Sequence, residues 1–217
     1  MEVFFSLCPC RIYAVTGSDG KTTTATIISE LLKEAGYHVH LGGNIGTPLL
    51  CRLPDMQPDD LVVLELSSFQ LHSMACHPHT AIITNLSPNH LDKHEDFQDY
   101  MDAKSMIFRN QFPEDRLILN AMDLHTPYYA AQARSRISYF SDSGSVENGC
   151  ICEEGLISLV SNGVRQSVMR SDEIRIPGEH NIQNILLRIK FAGKLLLIFP
   201  VFRIVWKKSV FTAVLPT

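Results

Sequence analysis

The chain has 217 residues, 45% of them hydrophobic and 19% charged, enough for one sizeable core with a small appendage and too few for three full domains. This balance excludes disordered, collagen-like and coiled-coil classes, and a formal charge of −4 offers no global electrostatic case for a nucleic-acid partner. The charge is uneven: residues 185–217 hold no Asp or Glu but carry Arg188, Lys190, Lys194, Arg203, Lys207 and Lys208, a +6 segment that leaves −10 for residues 1–184.

Residues 1–7 have neither the basic start nor the long apolar stretch of a secretory signal, so a cytoplasmic location is expected. Residues 11–15 form a short β-rich run. After an intervening glycine-rich loop, residues 23–35 read as a helix, with Ile27, Ile28, Leu31 and Leu32 at core spacing and Gly36 as its stop. Residues 37–41 predict a strand. Residues 61–66 and 80–84 are nearly continuous apolar runs, as expected for strands covered on both faces of a parallel sheet. A helix follows over 96–111, then strands over 116–120 and 136–141. This alternation predicts an α/β fold, a doubly wound, mostly parallel sheet. Between 142 and 176, Gly144, Gly149, Gly155 and Gly163 punctuate short alternating segments, among them 156–160 and 164–169, which predicts a small β-meander attached to that sheet. Residues 177–180 lead into a final helix.

Six cysteines, at 8, 10, 51, 76, 150 and 152, are expected as reduced thiols, because a chain of this length and pattern needs no disulfide framework. The two C-x-C pairs lack the spacing of a zinc ribbon. His90 and His94 stand at i, i+4, but the segment follows Pro88, lacks the glutamate of the zinc-protease pattern and offers no third ligand. His94 is expected in solvent. The Cys76-His77-Pro78-His79 group is expected in a loop before a strand.

The strongest local signal is Thr16-Gly17-Ser18-Asp19-Gly20-Lys21-Thr22, between a strand and a helix. Backbone N–H groups at such a turn, with the positive end of the following helix, form a concave anion site. Lys21 would balance terminal phosphate charge and the Thr22 hydroxyl would help hold Mg²⁺. The strict G-x-x-x-x-G-K-[ST] spacing is not met, since its first glycine would fall at Val15. A second signal lies in the helix over 96–111. At about 100° per residue, Phe97, Met101, Lys104 and Phe108 share one face, with Tyr100 beside them, placing a lysine inside an apolar stripe. It either snorkels to the surface or is buried, with a depressed pKa and a neutral amine able to react with CO₂.

The loop through Thr23 resembles the nucleotide loop of the Mur ligases and their folylpolyglutamate synthase relatives. Gly42-Gly43-Asn44-Ile45-Gly46, Glu65-Leu66-Ser67-Ser68-Phe69-Gln70-Leu71 and Asn85-Leu86-Ser87-Pro88-Asn89-His90-Leu91-Asp92 resemble further blocks of the Mur ligase family, in the branch that adds D-glutamate. The resemblance covers residues 8–184, the family's central ATP-binding domain, and implies a P-loop type fold. It implies a step of peptidoglycan precursor synthesis: ATP phosphorylates the carboxylate of a nucleotide-sugar peptide, UDP-MurNAc-L-alanine, and the amine of D-glutamate displaces phosphate.

The site residues follow from the same resemblance. Gly17, Ser18, Asp19, Gly20, Lys21, Thr22 and Thr23 would bind ATP, together with Asn181 and Asn184, whose bland alternative is helix capping. Glu65, at the carboxyl end of a buried strand, suits Mg²⁺, with Thr22 and His90 as further metal-site residues. Asn44, Ser67 and Gln70 are expected on the substrate side, although an asparagine in a Gly-Gly-Asn turn also has an ordinary backbone role. Lys21, His90 and Lys104 are the expected catalytic residues, and Lys104, in the family's Ala-Lys position, is expected to be carbamylated and to assist the metal.

Full-length family members add a UDP-binding domain before this one and an amino-acid-binding domain after it; the chain is expected to be truncated. Two segments are expected, 1–184 as the family domain and 185–217 as an atypical tail. Within the tail, residues 195–202 are apolar but interrupted by Pro200 and followed by Arg203, well short of the roughly 20 residues of a bilayer span. Trp206 and the basic residues would also suit an anionic surface. A monomer is expected. The alternatives to a D-glutamate ligase domain are a folylpolyglutamate-synthase-like ligase and a non-catalytic ATP-binding remnant.

Overall fold

The structure, a computed structural model, describes residues 1–87 and 94–171. His90, Asn181, Asn184, the helix expected after residue 180 and the 185–217 segment lie outside the described residues.

Among the described residues nine strands form one sheet: β1 (Arg11–Thr16), β2 (Val39–Gly43), β3 (Leu61–Glu65), β4 (Thr80–Ile83), β5 (Arg116–Asn120), β6 (Arg136–Ser141), β7 (Gly149–Glu153), β8 (Leu156–Ser161) and β9 (Val164–Arg170). Their order is β2-β3-β1-β4-β5-β6-β7-β8-β9. Pairing is parallel from β2 through β7 and antiparallel for β7–β8 and β8–β9. The expected meander is therefore the far end of the main sheet, joined to it by β7 against β6.

The helices are α1 (Glu2–Leu7), α2 (Lys21–Glu34), α3 (Ser68–His72), α4 (Phe97–Ser105) and α5 (Thr126–Ala130), with a 3-10 turn at Leu50–Asp55. Successive strand residues point to opposite faces, and both faces are covered. Ile12, Ala14, Val62, Leu64, Leu117 and Leu119 pack on one side with Met101 and Phe108. Val15, Leu61, Val63, Ile82 and Ile118 pack on the other with Ala25, Ile28 and Leu32 of α2. That two-sided burial is why the strands are continuous apolar runs.

Two helices differ from expectation. In α2, Ile28, Leu31 and Leu32 are buried, whereas Ile27 is only half-buried. The helix expected to reach residue 111 ends at Ser105, where Met106, Ile107 and Phe108 bond back to carbonyls three residues earlier, tightening the backbone into turns. Asp96 caps its start, accepting from Asp99 N–H at 2.8 Å. Cys10 and Cys76 are held as thiols, donating to Gln57 O and Met106 O, and burial pushes both pKa values up to about 12. Cys76, His77 and His79 do lie in the loop before β4.

The chain leaves β1, builds β2 and β3 to one side, then crosses back to place β4 on the other. Strand order thus reverses at β1, and the crevice at the carboxyl ends of β3, β1 and β4 is where open α/β sheets bind ligands.

Candidate functional site

The loop after β1 is suspended between the exits of β3 and β4. The Thr16 hydroxyl donates to Leu66 O at 2.8 Å, Thr84 N–H donates to Thr16 O at 3.0 Å, and Ser18 N–H donates to Asn85 O at 2.9 Å. A Cβ on Gly17 would stand 1.9 Å from the Thr84 hydroxyl oxygen, so only glycine permits that approach. Gly20, with φ of 76°, turns the chain into α2, whose first residue is Lys21.

Several loop side chains are already engaged. Ser18 is buried, its hydroxyl bonded to Ser87 O and N–H at 3.0 and 2.8 Å and to the Tyr100 hydroxyl at 2.9 Å. Asp19 is tied through its backbone to Asn85 Oδ1 and the Thr84 hydroxyl, at 2.9 and 2.7 Å. A ligand at this loop would therefore meet backbone groups, Lys21 and the exposed hydroxyl-bearing Thr22 and Thr23. Lys21 reaches back across the loop, donating to Gly17 O at 3.0 Å and Ser18 O at 2.8 Å.

Glu65, the last residue of β3, is 2% exposed. Its carboxylate accepts from the Thr22 hydroxyl at 2.7 Å and from Asn44 Nδ2 at 3.0 Å. Both partners are neutral, although buried carboxylates are ordinarily paired with a cation or bound to a metal. Backbone geometry fixes Asn44, whose N–H donates to Glu65 O at 2.8 Å. Asn44 thus has a backbone role in its turn and a side chain that joins Glu65 at the cavity.

Lys104 is 1% exposed, which overturns the snorkelling alternative. Its ammonium nitrogen donates to Gly17 O at 2.8 Å and Thr16 Oγ1 at 3.4 Å, and stands 4.5 Å from the Tyr100 ring centre. Burial, with Lys21 nearby, lowers its pKa from 10.5 to about 7. A substantial fraction of the amine is then neutral and nucleophilic near physiological pH.

A cavity of about 210 Å³ opens between Gly17 and Lys21 of the loop, Asn44, Ser67 to Phe69 on α3, and Tyr100 and Lys104 on α4. Ser67 lines it. Gln70 does not; its Oε1 accepts from Ser67 N–H and hydroxyl at 3.0 and 3.3 Å, closing the capping box that starts α3.

His94 corrects the expectation of a solvated side chain. It is buried, with Nδ1 bonded to Asp99 Oδ2 at 2.8 Å and Nε2 to Ser68 Oγ at 3.0 Å, and it stacks on Phe69 at 5.3 Å. His72 joins Asp99 Oδ1 at 3.0 Å from the exposed side. This Ser68–His94–Asp99 relay backs the cavity wall and joins α3 to α4. The Ser67-x-x-Gln70 spacing marks the start of α3; nothing local marks the burial of His94, because its partners lie on two other elements.

A glycine-bounded loop at a sheet switch point, with a buried acid and a buried lysine beside it, defines an α/β domain of P-loop type. Residues 15–192 match the Mur ligase middle domain, and the chain belongs to the Mur ligase family. It is 48% identical over 186 residues to UDP-N-acetylmuramoylalanine--D-glutamate ligase of Acetivibrio thermocellus, covering 86% of this chain and 40% of that protein. The ligase of the same name from Ruminiclostridium cellulolyticum is 47% identical over 184 residues, covering 85% of this chain and 40% of that one. The chain thus spans about 40% of the length of these curated relatives. Among solved structures, MurF from Acinetobacter baumannii superposes with a TM-score of 0.69 at 22% identity, over 97% of this chain and 48% of the other. A UDP-N-acetylmuramoyl-L-alanyl-D-glutamate--2,6-diaminopimelate ligase gives 0.70 at 21% identity, over 96% and 47%. These two likenesses concern the fold. No helix of the described residues is long and apolar enough to cross a membrane.

Proposed function

We propose that this chain carries the ATP-binding and carboxylate-activating part of a UDP-N-acetylmuramoyl-L-alanine:D-glutamate ligase, acting in the cytoplasm as a monomer. The observation that carries the proposal is the convergence of the loop and Lys104 on one cavity at the switch point, with the Thr22–Glu65 pair joined to its lining through Asn44. The choice of substrate is supported by the two relatives of that name.

In the proposed reaction a substrate carboxylate oxygen attacks the γ-phosphorus of ATP, the bond to the β-phosphate oxygen breaks and ADP leaves. The amine of D-glutamate then attacks the acyl carbon of the acyl phosphate; the C–N bond forms, the C–O bond breaks, inorganic phosphate departs and the amine loses a proton. The backbone of residues 17–22 would cradle the phosphates and Lys21 would offset their charge. Asn181 and Asn184 are proposed at the adenine and His90 beside the transferred phosphoryl group. Asn44 and Ser67 would orient the substrate; Gln70 would act through its capping bond to Ser67.

The donor set suits Mg²⁺. Thr22 Oγ1 and Glu65 Oε2 are 2.7 Å apart, close to the ~2.9 Å edge of an octahedron with bonds of 2.0–2.1 Å. Thr22, Glu65 and His90 would hold the ion, whose charge would stabilise the phosphates. The neutral Lys104 amine would add to CO₂, forming an N–C bond and releasing a proton to solvent, which exchanges a buried cation for a carbamate anion beside that ion.

Calorimetry tests the loop: ATP should bind the wild-type chain and lose at least about tenfold in affinity in Lys21→Ala, the value of one charge-assisted hydrogen bond. Equal affinities would sink the assignment. Growth of a strain depleted of its own D-glutamate-adding ligase, with this chain supplied alone or alongside the regions of a relative that it does not match, tests the substrate. ATP binding without rescue in either arm would favour the non-catalytic remnant.

A further inference from the structure

The nucleotide loop occupies the carboxyl end of the sheet; a second polar cluster lies at the amino end. His38 and His40 are two residues apart around the start of β2, so their side chains share one face of the strand. Asp60 immediately precedes β3, and the register Val39↔Leu61 brings His38 and Asp60 side by side. Asp60 Oδ2 meets His40 Nε2 at 2.8 Å and His38 Nδ1 at 3.1 Å, and accepts from Gln57 N–H at 3.0 Å. The three imidazole and carboxylate donor atoms lie within 4.8 Å of one another.

We propose that His38 Nδ1, His40 Nε2 and Asp60 Oδ2 form a binding site for a first-row transition dication of the Zn²⁺ type, separate from the nucleotide loop. Two imidazoles with one carboxylate favour such an ion over Mg²⁺, which takes oxygen ligands and retains water. A tetrahedral centre with bonds of 2.0–2.2 Å has ligand-to-ligand edges of about 3.3–3.5 Å. The two His–Asp60 separations need to open by about 0.2–0.7 Å, and the two imidazole nitrogens lie within 4.8 Å of each other. His38, 67% exposed, is free to adjust its own contact, whereas the His40–Asp60 pair, 4% and 9% exposed, would have to part slightly within the fold. The exposed side also leaves a position for water as fourth ligand. Gln57 N–H donates to the same Oδ2 at 3.0 Å and so holds the carboxylate in place, a hydrogen bond of the kind that metal-ligating carboxylates ordinarily receive.

The comparable group His72–His94–Asp99 is less suited. His94 has both ring nitrogens committed, one of them to Ser68, and an ion there would break a contact to a non-ligand. In the amino-end cluster the two imidazole bonds end on the carboxylate that would itself be a ligand. β2 is the edge strand, so an ion shared between His38, His40 and Asp60 would clamp the edge to β3.

Zn²⁺ titration of the 217-residue chain by calorimetry, in excess Mg²⁺ to saturate oxygen-only sites, is the test. One equivalent should bind, raise the melting temperature, and be replaceable by Co²⁺ with the visible absorption of a four-coordinate ion. His38→Ala, at an exposed side chain, should fold normally by circular dichroism and weaken Zn²⁺ binding by at least ~10–100-fold, the loss ordinarily seen when even an outer-shell partner is removed. His72→Ala should bind as wild type. Absence of binding, unchanged affinity in His38→Ala, loss in His72→Ala, or a thiolate-to-Co²⁺ charge-transfer band would each overturn the assignment.

Discussion

The two ends of this sheet treat buried charge in opposite ways. At the amino end Asp60 is matched to imidazoles, with His40 at 2.8 Å and His38 at 3.1 Å. At the carboxyl end Glu65 and Lys104 are both almost fully buried, yet Glu65 is held by Thr22 and Asn44, and Lys104 by Gly17 O, Thr16 Oγ1 and the face of Tyr100. Two opposite charges at the same end of the sheet are each given neutral partners. Pairing them would relieve both desolvation penalties; keeping them apart leaves an acid free to take a cation and an amine free to lose its proton. On the proposed function, the carboxyl end would forgo stability for reactivity, as functional sites commonly do.

The largest test of that contrast is Gly17→Ala. The added methyl would meet the Thr84 hydroxyl oxygen at 1.9 Å, and φ of 148° disfavours a side chain in any case. A loss of about 4 kcal/mol or more in urea unfolding is expected, the range of overpacking combined with backbone strain. Adding Thr84→Ala should recover part of it; no loss in the single variant would show that the loop gives way easily. Next is His94→Ala, expected to cost about 3 kcal/mol through the cavity and the two abandoned partners. His72→Ala, touching the same Asp99 from the surface, should stay within about 0.5 kcal/mol. Equal effects would mean that the relay does not join α3 to α4.

Lys104→Met should go the other way and stabilise the fold by about 1–2 kcal/mol, the lower half of the range for buried ionic groups replaced by apolar ones, because the bond to Gly17 O is lost with the charge. The sign follows from linkage. With its pKa lowered from 10.5 to about 7, the folded lysine binds fewer protons than the unfolded one between those values, so wild-type stability rises with pH across that window. The advantage of Lys104→Met is full below pH 7 and shrinks toward pH 10.5. A pH-independent advantage would argue that packing, not charge, is responsible.

The fold was legible where one physical cause dominated. The runs at β3 and β4 are apolar because both faces are covered, and β5 and β6 match their expected bounds. Gly17 to Thr22 was legible as backbone chemistry and Lys104 as a cation in an apolar stripe. Thr22 and Glu65 were brought together only by the family resemblance and by no local signal, since the two residues are 43 apart and meet only because β3 lands beside β1. His94 misled for the same reason: a polar residue before a helix looks solvated until α3 and Asp99 close over it. Short α3 and α5 carried signals in Ser67-x-x-Gln70 and Pro127, each too slight to outweigh its surroundings.

The smallest effect completes the contrast at the amino end. Asp60 is held from 3.8 down to about 2, first by the hydrogen bond from His40, then by Gln57 N–H and His38 against the cost of burial. A depressed carboxyl binds fewer protons folded than unfolded in that interval, so its stabilisation is fully present above pH 3.8 and is lost as the pH falls through about 2. Asp60→Asn keeps the shape and removes the titration. Urea midpoints of the wild-type chain should fall more steeply than those of Asp60→Asn between pH 4 and 2, and the two curves should converge at the acid limit. Parallel curves would show that the imidazoles do not hold the carboxylate. With the expected curves, stability rises with pH at both ends but in separate windows, between about 2 and 3.8 for Asp60 and between about 7 and 10.5 for Lys104, so that the neutral range keeps the Asp60 contacts intact and leaves Lys104 poised between its two forms.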